Sequence, residues 1–115
     1  MANLTAYEIT QEGLKPTFVD ADAAGDILVN KGVEFFYIKN TGVSTITASV
    51  TPVVTTVIDP LLGTLAKEIA SLELAPNEEG YLGPFETYAF NDPYGKITLN
   101  YSDAVGVILV ALYSE

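Results

Sequence analysis

Between Leu72 and Tyr101 the chain consists of short alternating runs, each closed by turn-forming residues, and this stretch limits the possible fold more than any other. Leu72 and Leu74 alternate with Ser71, Glu73 and Ala75, the period of two expected of a strand with one wet face. Pro76 to Gly80 read as a reversal, because Pro76 has no amide hydrogen to give and Gly80 tolerates positive φ. Tyr81 and Leu82 begin the return. Gly83 and Pro84 are expected to hold the backbone extended and to deliver Phe85 as a large apolar plug. A second reversal, Asn91 to Gly95, follows Tyr88 and Phe90. After it Ile97, Leu99 and Tyr101 share one face, with Lys96, Thr98 and Asn100 on the other.

The same grammar covers most of the chain. Thr17 to Val19 predicts a short first strand, and Asp20 to Asp26, small and acidic, predicts a loop. Ile27 to Val29 is apolar and is closed by the Asn30-Lys31-Gly32 turn. Val33 to Lys39 is apolar on both faces, which predicts a central strand ended by the turn from Asn40 to Gly42. In Thr45 to Thr51, Ile46, Ala48 and Val50 point inward and the threonines outward. Pro52 ends that ladder. Leu61 to Ala70 fits either a helical stripe or a loop followed by a strand, and the second reading is preferred. Val105 to Tyr113 reads as a strand buried on both sides.

At the N-terminus, Thr5 and Glu8 have capping-box spacing and Leu4 and Ile9 hold the two positions of a hydrophobic staple. These predict a two-turn helix from Ala6 to Glu12, or else an arm that orders against a partner. The organisation expected is an arm or short helix over residues 1–16 and one β-sandwich or barrel over 17–115. That domain has about seven to nine short, mostly antiparallel strands.

A chain of 115 residues can bury roughly two-thirds of its unfolded surface, enough for a core without staples. Cysteine and histidine are both absent, which removes disulfides, thiolate metal sites and the usual hydrolytic triads. Five lysines against fifteen carboxylates give a net charge of −10, which opposes binding to a nucleic acid. The longest apolar run, Val105 to Tyr113, is too short to cross a bilayer as a helix, and no secretory signal is legible. A soluble protein made in a cytoplasm, with no membrane partner, is the expectation.

Few residues are candidates for chemistry. A carboxylate pair such as Glu79 and Glu86 has the residue type for glycoside chemistry, but both read as solvated turn and strand-face charges. Asp20, Asp22, Gly25 and Asp26 partly match a calcium loop, but Ala24 stands where a third ligand is wanted and Lys31 where the bidentate acid belongs. That segment reads as a solvated loop, and no cofactor or catalytic residue is expected. Phe35, Phe36, Tyr37 and Tyr101 read as core. Tyr81, Tyr88 and Tyr94 flank turns, where a tyrosine caps the core or anchors another chain; with Leu4 of the arm they are the candidate interaction residues.

Three places carry a resemblance. They are Met1 to Thr5 with Glu8, Ile9 and Gly13 to Thr17; Phe36 to Gly42; and Leu74 to Gly80 followed by Gly83 to Phe85, the Asn91-Asp92 turn and Ile97 to Tyr101. In this order and spacing the chain resembles the small capsid decoration, or head-auxiliary, proteins of tailed phages. Val53 to Ile69 departs from the compact connection of that type. The resemblance implies a β-sandwich, often trimeric, on the outside of a capsid. There it would contact the major capsid protein at local symmetry axes and stabilise the shell without catalysis.

Overall fold

A computed structural model describes residues 2–10, 17–52, 56–59, 63–66 and 69–113. Twelve strands and one helical turn follow in order: β1 (Ala2–Asn3), β2 (Tyr7–Glu8), β3 (Val19–Asp20), β4 (Asp26–Val29), β5 (Glu34–Asn40), β6 (Ile46–Val50), β7 (Thr56–Asp59), β8 (Gly63–Ala66), β9 (Ala70–Leu74), β10 (Glu79–Leu82), α1 (Thr87–Phe90), β11 (Lys96–Tyr101) and β12 (Val107–Tyr113). One sheet has the order β1-β4-β11-β6-β9. The other has β10-β5-β12-β2, with β3 sharing the β12 edge, and β7 pairs with β8. The result is a two-sheet β-sandwich.

The alternation predicted in each strand accounts for the core. Leu28, Ile46, Ala48, Val50, Leu74, Ile97 and Leu99 point inward from the first sheet. Phe36, Ile38, Leu82, Val107, Leu109 and Ala111 meet them from the second. Leu61 to Ala70 resolves in favour of strand: β8 and the start of β9 fall there, while residues 60–62 and 67–68 lie outside the described residues. Among the described residues no helix is long and apolar enough to cross a membrane.

Outside the β7–β8 pair most successive strands change sheet, so these reversals are arches between layers rather than hairpins within one. The turn after β9 delivers the chain from the first sheet to the second. Its left-handed residue is Asn77 (φ 67°), not Gly80. Gly80 lies within β10, where a Cβ would stand 3.1 Å from a methyl carbon of Leu72, so its smallness serves packing. Gly83 (φ 112°) and the cis Gly83–Pro84 peptide replace the extended backbone expected there. Phe85 nevertheless plugs the core, its ring centroid 5.8 Å from that of Phe36 and 5.4 Å from that of Phe90.

Two buried asparagines at opposite ends of β5 fasten these arches. Asn30 donates from Nδ2 to the Phe85 carbonyl and the Asn91 Oδ1, and Asn91 donates back to the Asn30 carbonyl. Asn40 donates from Nδ2 to the carbonyls of Ser44 (2.8 Å) and Leu74 (3.0 Å), while its Oδ1 accepts from the Gly42 amide (3.0 Å). Buried amides of this kind stabilise a fold only when every partner is present.

The N-terminal helix does not form over the described part of residues 6–12. Tyr7 and Glu8 pair in parallel with Leu112 and Tyr113, and Ala2 and Asn3 pair with Asp26 and Ile27. A two-turn helix has a costly nucleus, whereas the open edges of β4 and β12 offer backbone partners at once. Residues 2–10 are therefore an extended arm laid along one side of both sheets; Gln11 to Pro16, with Glu12, lie outside the described residues. Val105 also departs from expectation. The last strand begins at Val107, because Gly106 takes φ 78° and leaves Val105 in the preceding turn.

Candidate functional site

Alternation along β5 sends Phe36, Ile38 and Asn40 inward and puts Phe35, Tyr37 and Lys39 on the outer face, so Phe35 and Tyr37 are not in the intersheet core. Tyr81 pairs with Tyr37 across the β10–β5 ladder, and their rings stack at 4.7 Å. Phe35 and Tyr81 meet edge to face with ring centroids 5.7 Å apart, and Phe18 and Tyr37 likewise at 5.5 Å. Four aromatic rings thus run in a row across the outside of the second sheet. Lys39 places its Nζ 4.5 Å from the centre of the Phe18 ring and 3.7 Å from the Glu79 carboxylate. The cation–π contact fixes the lysine; the exposed ion pair itself adds little.

The candidate residues separate. Tyr81 is 62% exposed within this row. Tyr94 is 82% exposed and sits in the Asp92–Gly95 turn before β11, a strand of the other sheet, with its amide held by the Asp92 carboxylate. The side chain of Tyr88, in α1, lies outside the described residues. Leu4 is half-buried against the core, and its amide donates to the Ile27 carbonyl. With Thr5 it lines two cavities of about 370 and 220 Å³, the first against Leu28 and Val29 and the second against Leu109 and Val110. No single site gathers Leu4, Tyr81 and Tyr94.

The acidic residues do not assemble a centre either. Glu79 faces outward beside Lys39, Glu86 precedes α1, and neither lines those two cavities. Among the described residues no group of three or more carboxylates could hold a metal ion. In the 20–26 segment, Asp22 closes a local turn by accepting from the Ala24 amide. Asp26 is fully buried and accepts on Oδ2 from the Asp22 amide and the Tyr101 hydroxyl. Tyr101, read as core, packs against it from the end of β11 and turns its hydroxyl to this corner.

Two phenols are shifted upward. That of Tyr37 is pushed up to about 12, first by its hydrogen bond to Glu79, then by desolvation and the charges of Glu79 and Tyr81. Tyr101 is held far above its ordinary value, chiefly by burial, then by the hydrogen bond to Asp26 and the negative charges of Asp26 and Asp22. A folded-state value above the unfolded one, about 10 for tyrosine, means that the stability these groups contribute is complete below pH 10. It is lost as pH rises, through about 12 for Tyr37 and higher still for Tyr101. Melting temperature should therefore fall steeply above about pH 10, and Tyr101→Phe should flatten that fall. Parallel alkaline profiles for wild type and variant would show that Tyr101 takes no part.

Four loops meet at the end of the sandwich marked by Asn40: 21–25, 41–45, 75–78 and 102–106. The Ala21 amide donates to the Val107 carbonyl, Asn77 to the Asn40 carbonyl, and Thr41 to the Gly106 carbonyl. Gly42 and Gly106 touch, so closely that a Cβ on Gly106 would lie 2.6 Å from the Gly42 Cα, and both positions require glycine. Beside this contact stand Val43, 97% exposed, and Val105, 78% exposed. Sequence patterning missed Val43 because a lone valine in a turn has no period to reveal it, and it read Val105 as the first residue of the buried last strand. It misplaced Phe35 and Tyr37 because an aromatic run gives the same signal on an outer face as in a core.

Comparison of the chain with protein-family models, curated proteins and solved structures found no match.

Proposed function

We propose that this chain is a non-enzymatic virion structural protein, a decoration protein that binds the outside of a phage capsid and stabilises the shell. The observation that carries the reading is the order and spacing of the motifs from Met1 to Tyr101 on a two-sheet β-sandwich, the fold that the resemblance implies. The partner is the major capsid protein, and the chain acts as a homo-oligomer, a trimer by the same resemblance. The chain is made in the host cytoplasm and ends on the outer capsid surface. A charge of −10 suits a place in water better than one against packaged DNA. Many copies that bind only the assembled shell shift its stability by mass action, so each contact can be modest and none need move a proton.

The test is sedimentation of the purified chain with expanded shells of the phage that encodes it. Co-sedimentation that saturates with added protein is expected; a chain left in the supernatant at every salt concentration would refute the reading.

A second reading, a carbohydrate- or host-surface-binding module, is favoured by the outer row of Phe18, Tyr37, Tyr81 and Phe35, since aromatic rings on a sheet face can stack on sugars. It requires glycan-array binding that Tyr81→Ala abolishes. An array without hits removes it.

A further inference from the structure

We infer that the loop end carrying Val43 and Val105 is the face that docks, and that its partner is a protein surface with a shallow apolar depression bordered by lysine or arginine. This rests on the shell-binding reading and names the surface that performs it.

Val43 and Val105 leave their side chains in water, although each stands on a loop whose backbone is fixed. Asn40 holds the Gly42 amide, the Thr41 amide and hydroxyl both bond the Gly106 carbonyl, and the Asp103 carboxylate accepts from the Val105 amide at 3.0 Å. An apolar group held out by a rigid loop adds nothing to folding, but it enters a partner with little further ordering cost. Exposed Ala23, Ala24 and Pro76 extend the same tip.

Charge identifies the occupant. The four loops carry the carboxylates Asp22, Glu78 and Asp103 and no lysine. Lys39, one residue before Asn40, is turned to the outer face and paired with Glu79. Lys31 and Lys96 belong to the opposite end, beside Asn30 and at the start of β11. Two copies meeting tip to tip would oppose acidic rims, so a second copy is disfavoured. A basic rim around an apolar depression complements both features. The aromatic row is the weaker candidate because its rings already use their faces and edges on one another.

The experiment measures sedimentation of the full chain with shells of the encoding phage that lack it, comparing wild type with Val43→Asp, Val105→Asp, the double variant Glu78→Gln/Asp103→Asn, and Tyr81→Ala. The double variant keeps an acceptor oxygen for the Ala75 and Val105 amides while removing charge. Circular dichroism confirms folding, and the exposure of both valines leaves the core untouched. The expected result is a loss of about tenfold or more in affinity for each valine variant. The double variant should bind more weakly and with a flatter salt dependence, and Tyr81→Ala should bind as wild type. Wild-type binding retained by both valine variants, or lost only in Tyr81→Ala, overturns the docking end while leaving shell binding intact. Failure of wild type to sediment at any salt overturns both.

Discussion

Phe85→Ala is expected to destabilise the protein by about 3–5 kcal/mol, the usual loss when a buried aromatic ring is truncated. The ring lies between Phe36 and Phe90 and is almost wholly buried. Its place is fixed from both sides. The Asn30 side chain holds the Phe85 carbonyl, and a Cβ on Gly83 would stand 2.8 Å from the ring. Little nearby can collapse into the space, since Phe36 belongs to the central strand and Phe90 to the following helical turn. For a domain whose whole stability is of order 5–15 kcal/mol, the loss is a large fraction. Urea unfolding would show it as a lower midpoint at unchanged slope. A loss under about 1 kcal/mol would mean that the ring is not the plug between the sheets.

The second large effect is expected at Asn40. Asn40→Asp preserves shape but turns the donor that serves the Ser44 and Leu74 carbonyls into a third acceptor facing them. Asn40→Ala leaves those carbonyls and the Gly42 amide without their partner. Each variant should lose about 2–4 kcal/mol, because an unsatisfied buried polar group costs about 1–3 kcal/mol and one of the two donated bonds is fully buried. The aspartate should lose no less than the alanine. A change below about 1 kcal/mol in Asn40→Asp would show that the arches after β5 and β9 stand without this residue. Asn40→Ala should also loosen the Val43 loop, whose Gly42 amide Asn40 holds.

Much of this fold is legible in the sequence, and the illegible parts have identifiable causes. Ile46, Ala48 and Val50, or Ile97 and Leu99, reveal their strands because burial on one face imposes a period of two on the residues themselves. A turn such as Ala75 to Glu78 shows only that the chain reverses. Whether the return strand joins the same sheet or the facing one depends on contacts far off in sequence, here the backbone and side chain of Asn40, which no local pattern contains. The capping-box spacing at Thr5 and Glu8 was overridden for the same reason, by edges of β4 and β12 that the N-terminal residues cannot foretell.

The candidate surface was less legible than the fold. Tyr81 and Tyr94 were found because tyrosine beside a turn is conspicuous, and the structure leaves both exposed, yet on elements of different sheets. Val43 and Val105 gain meaning only when Gly42 and Gly106 bring their loops together across more than half the chain. Burial is a property read by periodicity; exposure on a rigid loop is not.

The most direct measurement is electron cryomicroscopy of shells, with and without this chain, of the phage proposed to encode it. Additional density on the outer surface at local symmetry axes, fitted by the sandwich with the Val43 and Val105 end toward the shell, is the expected result. Shells identical in the two maps, or extra density confined to the interior or the tail, would contradict the proposal that this protein acts by covering a capsid.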